Sequence, residues 1–317
     1  MPSSYLGGNR FMHQLFQDSM AIVRHFGRPT LFITFTANPR WSEVTTALLP
    51  GQTSDIGPDI IVRVFYLKVK SLLHEIKKNN IFGKYEGCVW TIEYQKRGLP
   101  HLHLLLFLHS DDQFLTTDKI DEVVCAELPA QETQPELYKI VTTTMLHGPC
   151  GIDNPQAPCM ISKYPGAIPY CSKRFPREFQ LQTAIQADGY PLYRRRDNGI
   201  QHVHYNAEGN IVRTFDNRSV VPYNPYLTWR YKAHINVEIC ASIQAIKYIH
   251  KYIYKGSDHT TVQVEQNDEI YCHLHARYIG PCEAVWRIFG FKIHQEKPSV
   301  QRLHVHLPGI ILTSINL

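Results

Sequence analysis

Two pairs of residues in this chain have the types and spacing for chemistry. His101 and His103 are separated by one residue in Gly98-Leu99-Pro100-His101-Leu102-His103-Leu104-Leu105-Leu106-Phe107. Tyr248 and Tyr252 are four apart in Lys247-Tyr248-Ile249-His250-Lys251-Tyr252-Ile253-Tyr254-Lys255-Gly256. Alternate residues of a strand share a face, so His101 and His103 point together while Leu102 and Leu104 point into a core. Paired imidazoles can hold a divalent metal and leave positions open to a phosphate oxygen. Residues at i and i+4 of a helix stack on one face, which brings the two tyrosine hydroxyls side by side. A free tyrosine has a pKa of roughly 10 and is a poor nucleophile at neutral pH. A nearby metal that polarises a phosphate, with lysines alongside, lowers that barrier. Together these are the parts needed to cut single-stranded DNA and remain covalently attached to it.

The histidine pair needs a third ligand. Glu93 lies in Val89-Trp90-Thr91-Ile92-Glu93, the expected neighbouring hairpin strand; Gln95 has the same parity, and Glu238 on a later strand is a rival. A bare His-x-His is weak evidence, because the chain has 17 histidines and the pattern occurs four times: His101/His103, His202/His204, His273/His275 and His304/His306. Only the first is followed by a long apolar run and preceded by an acidic residue and a Gly/Pro turn. The other three are read as structural. A tyrosine pair at helical spacing is usually the edge of an amphipathic core, and the chain has 18 tyrosines. The catalytic reading of Tyr248 and Tyr252 rests on combination with the histidine strand.

The residues quoted resemble a known family, and other stretches extend the likeness. Leu31-Phe32-Ile33-Thr34-Phe35-Thr36-Ala37-Asn38-Pro39-Arg40-Trp41 is similar to its first motif. His147-Gly148-Pro149-Cys150-Gly151 and Cys171-Ser172-Lys173-Arg174-Phe175-Pro176 are similar to its cysteine-bearing middle. His234-Ile235-Asn236-Val237-Glu238 leads into the tyrosine segment, and Glu283 to Ile288 and Val305 to Gly309 are similar to the stretch leading toward a helicase. The family is the HUH (Rep-type) endonuclease region of Helitron rolling-circle transposases, often called the Helitron helicase-like domain. The resemblance implies a nick in single-stranded DNA at transposon ends or a target strand, a 5′-phosphotyrosine link and a free 3′-hydroxyl. It implies Tyr248 and Tyr252 as nucleophiles, His101 and His103 with Glu93 as ligands to Mg²⁺ or Mn²⁺, and a second strand transfer without a new energy source. Lys96, Arg97, Lys247, Lys251 and Lys255 are the expected phosphate contacts. No G-x-x-x-x-G-K-[ST] motif occurs, so no phosphate-cradling loop of a helicase is present in these residues. The chain starts and stops inside what the family encodes and is expected to be a truncated copy. A catalytically silent DNA-binding remnant is therefore the alternative function, with a helicase supplied in trans.

Composition permits these readings without choosing among them. The chain has 317 residues, a net charge of +5 and 44% hydrophobic residues, which allows a sizeable core and mild attraction to nucleic acid. The basic residues cluster at Lys96-Arg97, at Lys173-Arg174 with Arg177, at Arg194-Arg195-Arg196 and along the tyrosine segment. Such contacts bind phosphates without reading bases. No signal peptide or membrane-length apolar run is visible, and no membrane partner is expected. A DNA-processing role implies the nucleus. His147, Cys150, Cys159 and Cys171 are a possible structural zinc site, since His147-x-x-Cys150 has ligand spacing and a loop-rich segment needs a staple. The spacing from Cys159 to Cys171 is longer than the family pattern, through extra residues around Tyr164 to Pro169.

The elements that must position these groups follow from periodicity. Residues 11–26 and 59–78 carry helical apolar stripes, and residues 31–36, 89–95 and 101–108 read as strands. The fold class expected is α+β: an antiparallel sheet with helices on one face, HUH endonuclease-like, carrying a Cys-rich loop insertion. The expected division is 1–110 for the first part of the core and 111–233 for the insertion. Residues 234–270, a strand and the tyrosine helix, complete the core, and 271–317 form a C-terminal segment. Val220 to Trp229, rich in Pro and Tyr, reads as extended, and Ile235, Val237 and Ile239 alternate as a strand.

Overall fold

The computed structural model describes residues 9–53, 57–94, 98–114, 116–152, 154–164, 166–186, 190–205, 208–240 and 279–301. Five strands form the main sheet: β1 (Leu31–Thr36), β2 (Tyr85–Tyr94), β3 (Pro100–Leu108), β10 (Ile235–Ile239) and β11 (His294–Lys297). Their order is β10-β1-β3-β2-β11, and every neighbouring pair is antiparallel. β3 is therefore central and buried along its whole length, which explains its nearly unbroken apolar sequence.

The sheet has two differently covered faces. Leu31, Ile33, Phe35, Leu102, Leu104, Leu106, Trp90 and Ile92 face α3 (Pro58–Lys78), which inserts Ile61, Phe65, Val69, Leu72 and Ile76 between them. Pro58 opens α3 where a missing N–H is harmless, and Lys77 and Lys78 end it where the helix dipole favours cations. α7 (Pro281–Ile288) adds Trp286 to this layer, against Phe65, Tyr66 and Phe291. The opposite face is covered by α1 (Asn9–Phe26), whose Ile22 and Val23 pack on Phe32, Val89, Leu105 and Phe107. Helices thus lie on both faces, not on one as periodicity alone suggested. Gly87 permits this cover: a Cβ there would lie 2.9 Å from the Phe26 ring and 2.8 Å from the Lys297 carbonyl oxygen.

Between β3 and β10 lie α4 (Thr117–Val123), α5 (Pro135–Thr144), α6 (Pro225–Tyr231) and three small hairpins; α2 (Ser42–Thr45) comes earlier in the chain. The hairpins pair β4 (Met160–Ile161) with β5 (Tyr170–Cys171), β6 (Ala184–Ile185) with β7 (Pro191–Leu192), and β8 (His202–Tyr205) with β9 (Ile211–Phe215). None of these six strands joins the main sheet. α2 precedes α3, outside this span, and touches it.

Two sequence expectations are corrected here. Residues 225–231 form a helix, not an extended segment, because Asn224 caps it by accepting from the Leu227 N–H and Pro225 occupies the first turn. Arg194, Arg195 and Arg196 are not a free basic cluster. Arg195 is buried and donates to the carbonyls of Ala126, Asn217 and Val220. Arg194 and Arg196 pair with Asp121 and Glu127.

Candidate functional site

The face of the sheet under α1 changes character along its length. At its apolar end Val89, Leu105 and Phe32 stand in register across β2, β3 and β1. Two residues further along, Thr91, His103, Thr34 and Asn236 form a polar row across four strands. The next row is Glu93, His101 and Thr36. Directly opposed residues share a face, so this register gathers both histidines, Glu93 and two threonines at one end of the sheet.

His101 and His103 are each 6% exposed, and their rings meet edge to face at 4.5 Å. His103 lies flat on Phe32, with ring centroids 5.8 Å apart, at the border between the apolar and polar halves. Its Nε2 is 3.2 Å from Glu93 Oε2. The Nδ1 of His101 is hydrogen-bonded to the Thr36 hydroxyl. Burial pushes the His101 pKa well below its ordinary value, and the neighbouring His103 and His234 push it further the same way. His101 is thus neutral at physiological pH, the form that ligates metal. With Nδ1 engaged by Thr36, Nε2 is the nitrogen left to a ligand role, the arrangement by which outer partners orient metal-binding histidines.

Glu93 is the acidic group that reaches this pair. Glu238 is on the same face but one row back, opposite Phe32, and accepts from the Asn236 side chain. Gln95 lies outside the described residues, as do Lys96, Arg97, Lys247, Tyr248, Lys251, Tyr252 and Lys255. The sequence pattern did not single out Thr36 as the partner of His101. That role depends on the β1–β3 register, which no local pattern specifies. His234 stands in a motif quoted from the sequence, but its partners were not foreseen. Its backbone carbonyl accepts from the Thr36 N–H, and its side-chain Nδ1 bonds the Thr144 carbonyl.

A second cluster lies beyond His234. His147, Cys150, Cys159 and Cys171 have ligand atoms all within 4.8 Å of one another, a set that could hold a metal ion. Among the described residues no other group of three or more such side chains is gathered this closely, so His101, His103 and Glu93 are not. The β4–β5 ladder pairs Met160 with Cys171, and the Ser172 N–H donates to the Cys159 carbonyl. That ladder brings Cys159 beside Cys171 across the long intervening loop, so their unusual spacing does not separate the ligands. Burial and the neighbouring Cys171 and Cys159 push the Cys150 thiol up to about 12. At Cys171 burial acts upward, but hydrogen bonds from the backbone at Phe175 and Lys173 and from Cys159 and Cys150 together outweigh it and lower the pKa. His147 stacks on Phe175 at 4.4 Å and its Nε2 is 3.3 Å from Cys171 Sγ.

Among the described residues no helix is long and apolar enough to cross a membrane. Residues 1–106 match the family model described as Helitron helicase-like domain at N-terminus, so the first third of the chain carries that domain. The match contains Glu93, His101 and His103 and ends inside β3. No curated protein matches the chain.

Proposed function

We propose that this chain, whose first 106 residues carry a Helitron helicase-like domain, nicks single-stranded DNA and transfers the strand through a 5′-phosphotyrosine intermediate. The observation that carries the reading is the buried histidine pair with Glu93 at the polar end of the sheet. The donor set fits a divalent ion: two imidazoles and a carboxylate, with one imidazole already oriented by a hydroxyl. This mixture suits Mn²⁺ better than Mg²⁺, which prefers oxygen ligands. An ion held there supplies Lewis-acid polarisation of a phosphate oxygen.

The reaction uses the chain's own tyrosines. The hydroxyl oxygen of Tyr248 or Tyr252 attacks phosphorus and loses its proton to solvent. The bond to the 3′ oxygen breaks, and that oxygen leaves as a hydroxyl after taking a proton. The other tyrosine, or a 3′-hydroxyl, can then repeat the displacement with no net loss of phosphodiester bonds. Lys96, Arg97, Lys247, Lys251 and Lys255 contact the phosphates of the strand. His147, Cys150, Cys159 and Cys171 hold a structural Zn²⁺, for which three thiolates and one imidazole in a closed tetrahedron are a common set. A role at transposon ends places the protein in the nucleus, with strand separation supplied by a helicase.

The test is formation of an SDS-resistant adduct between the purified chain and a labelled single-stranded oligonucleotide in Mn²⁺. The adduct is expected to disappear in His101→Ala and in Tyr248→Phe/Tyr252→Phe. Persistence in the double tyrosine variant overturns the mechanism. A second reading is a DNA-binding protein that cuts nothing: among the described residues the closely gathered ligand group is His147, Cys150, Cys159 and Cys171, not His101, His103 and Glu93. It predicts salt-sensitive retention of the oligonucleotide with no adduct.

A further inference from the structure

We infer that the metal-stapled β4–β5 finger is a binding surface for single-stranded nucleic acid. The single-stranded character of the ligand rests on the proposed function; the finger's role as a nucleic-acid surface rests on its own composition and exposure.

Between His147 and Arg177 the chain has Lys163, Lys173, Arg174 and Arg177 against one carboxylate, Asp153. Lys163, Lys173 and Arg174 are exposed. Aromatic residues stand among them in the open: Tyr164 is 68% and Tyr170 43% exposed. Cationic side chains that track phosphates and rings on which bases stack are what sequence-tolerant single-strand binders combine. An acidic or purely apolar protein partner would use only half of this surface.

The base of the finger explains why such a surface can exist without a core. Among the described residues, only Cys150, Ala157 and Cys171 are buried there, with Cys159, Met160 and Phe175 packed around them. An ion on the four ligand side chains ties His147 and Cys150 to both strands of the hairpin, at Cys159 and Cys171. The tip is then free to carry polar and aromatic groups outward.

Position relates the finger to the histidine pair. The segment entering the finger follows α5, whose Thr144 carbonyl holds the His234 ring. His234 in turn accepts from Thr36, the residue bonded to His101. The root of the finger is thereby tied to the polar end of the sheet.

The experiment uses the full chain and a fluorescent oligodeoxythymidine probe, with anisotropy read over a range of salt and no Mg²⁺ or Mn²⁺ present. Zinc content is measured on the same preparations. Wild type is expected to contain zinc equimolar with protein. Tyr164→Ala/Tyr170→Ala is expected to keep its zinc and bind roughly ten-fold or more weaker, as loss of base stacking implies. Lys163→Ala/Lys173→Ala/Arg174→Ala is expected to keep its zinc and lose about 2 from the slope of log affinity against log salt. Unchanged binding in both zinc-loaded variants overturns the proposal, as does wild type purified with zinc supplied but none bound. Equal losses on a duplex probe overturn the single-strand assignment. If wild type forms no adduct yet the finger variants lose affinity, the nicking reading falls and the finger stands.

Discussion

At the scale of single residues, the hydroxyl of Thr36 is the group whose removal is most informative. It fixes the Nδ1 side of His101 and leaves Nε2 for a ligand. Thr36→Val keeps the shape and removes the bond, and is expected to weaken Mn²⁺ binding by about 10–100-fold, measured by calorimetry, with Thr36→Ser restoring most of it. Affinity unchanged in Thr36→Val would make the threonine a packing residue only. The shared face of His101 and His103 was legible in the sequence because strand parity is local. Thr36 was not, since its partner lies 65 positions away and is chosen by cross-strand register. Glu93 and Glu238 have compatible parity, and only the register separates a carboxylate 3.2 Å from His103 from one a row behind it. His234 makes a different prediction. Burial lowers its pKa, against a smaller upward effect of the Thr144 carbonyl. Unfolding would return it to roughly 6.5, so the unfolded chain binds more protons just below that pH. Its contribution to stability is therefore present at neutral pH and is lost progressively as pH falls from about 6.5 toward the lower folded-state value. The urea midpoint is expected to drop between about pH 7.5 and pH 5.5, and to drop less in His234→Asn, which still offers a donor to Thr144.

At the scale of elements, the arginine triplet shows how composition misleads. Three consecutive arginines read as a phosphate-binding patch, but each finds acceptors within the protein, and Arg195 satisfies three carbonyls that converge from separate segments. Arg195→Met is expected to cost on the order of 3 kcal/mol in chemical denaturation, because buried carbonyls lose their donor, without changing the salt dependence of DNA binding. The same substitution at Lys173 should do the reverse. α6 was hidden for a related reason: Asn and Pro look like breakers, yet Asn224-Pro225 is a cap followed by a first-turn proline. Asn224→Ala is expected to destabilise by about 0.5–2 kcal/mol. The long helix α3 and the strands β1 and β3 were legible to within a residue or so because their apolar periods are strong and uninterrupted.

At the scale of the whole molecule, the segment with the family match does not contain its own sheet. β1, β2 and most of β3 lie within residues 1–106, while β10, β11 and Trp286 come from the far end of the chain. A fragment of residues 1–110 would expose the outer edges of β1 and β2 and uncover Phe65 and Tyr66. It is expected to lack a cooperative thermal transition by circular dichroism, and a sharp transition in that fragment would show that the distal strands are dispensable.

The strand order carries a consequence for synthesis on the ribosome. β3 can pair with β1 and β2 as soon as the first third of the chain has emerged, but β1 has no outer neighbour until residue 239 has been made, and β2 none until residue 297. Through that interval two strand edges stand open beside one of the most apolar stretches of the protein. Unpaired edges are where nascent chains join one another. A nascent chain of this protein thus depends on chaperone cover, or on α1 folding early over the exposed face, for as long as translation of the intervening residues takes.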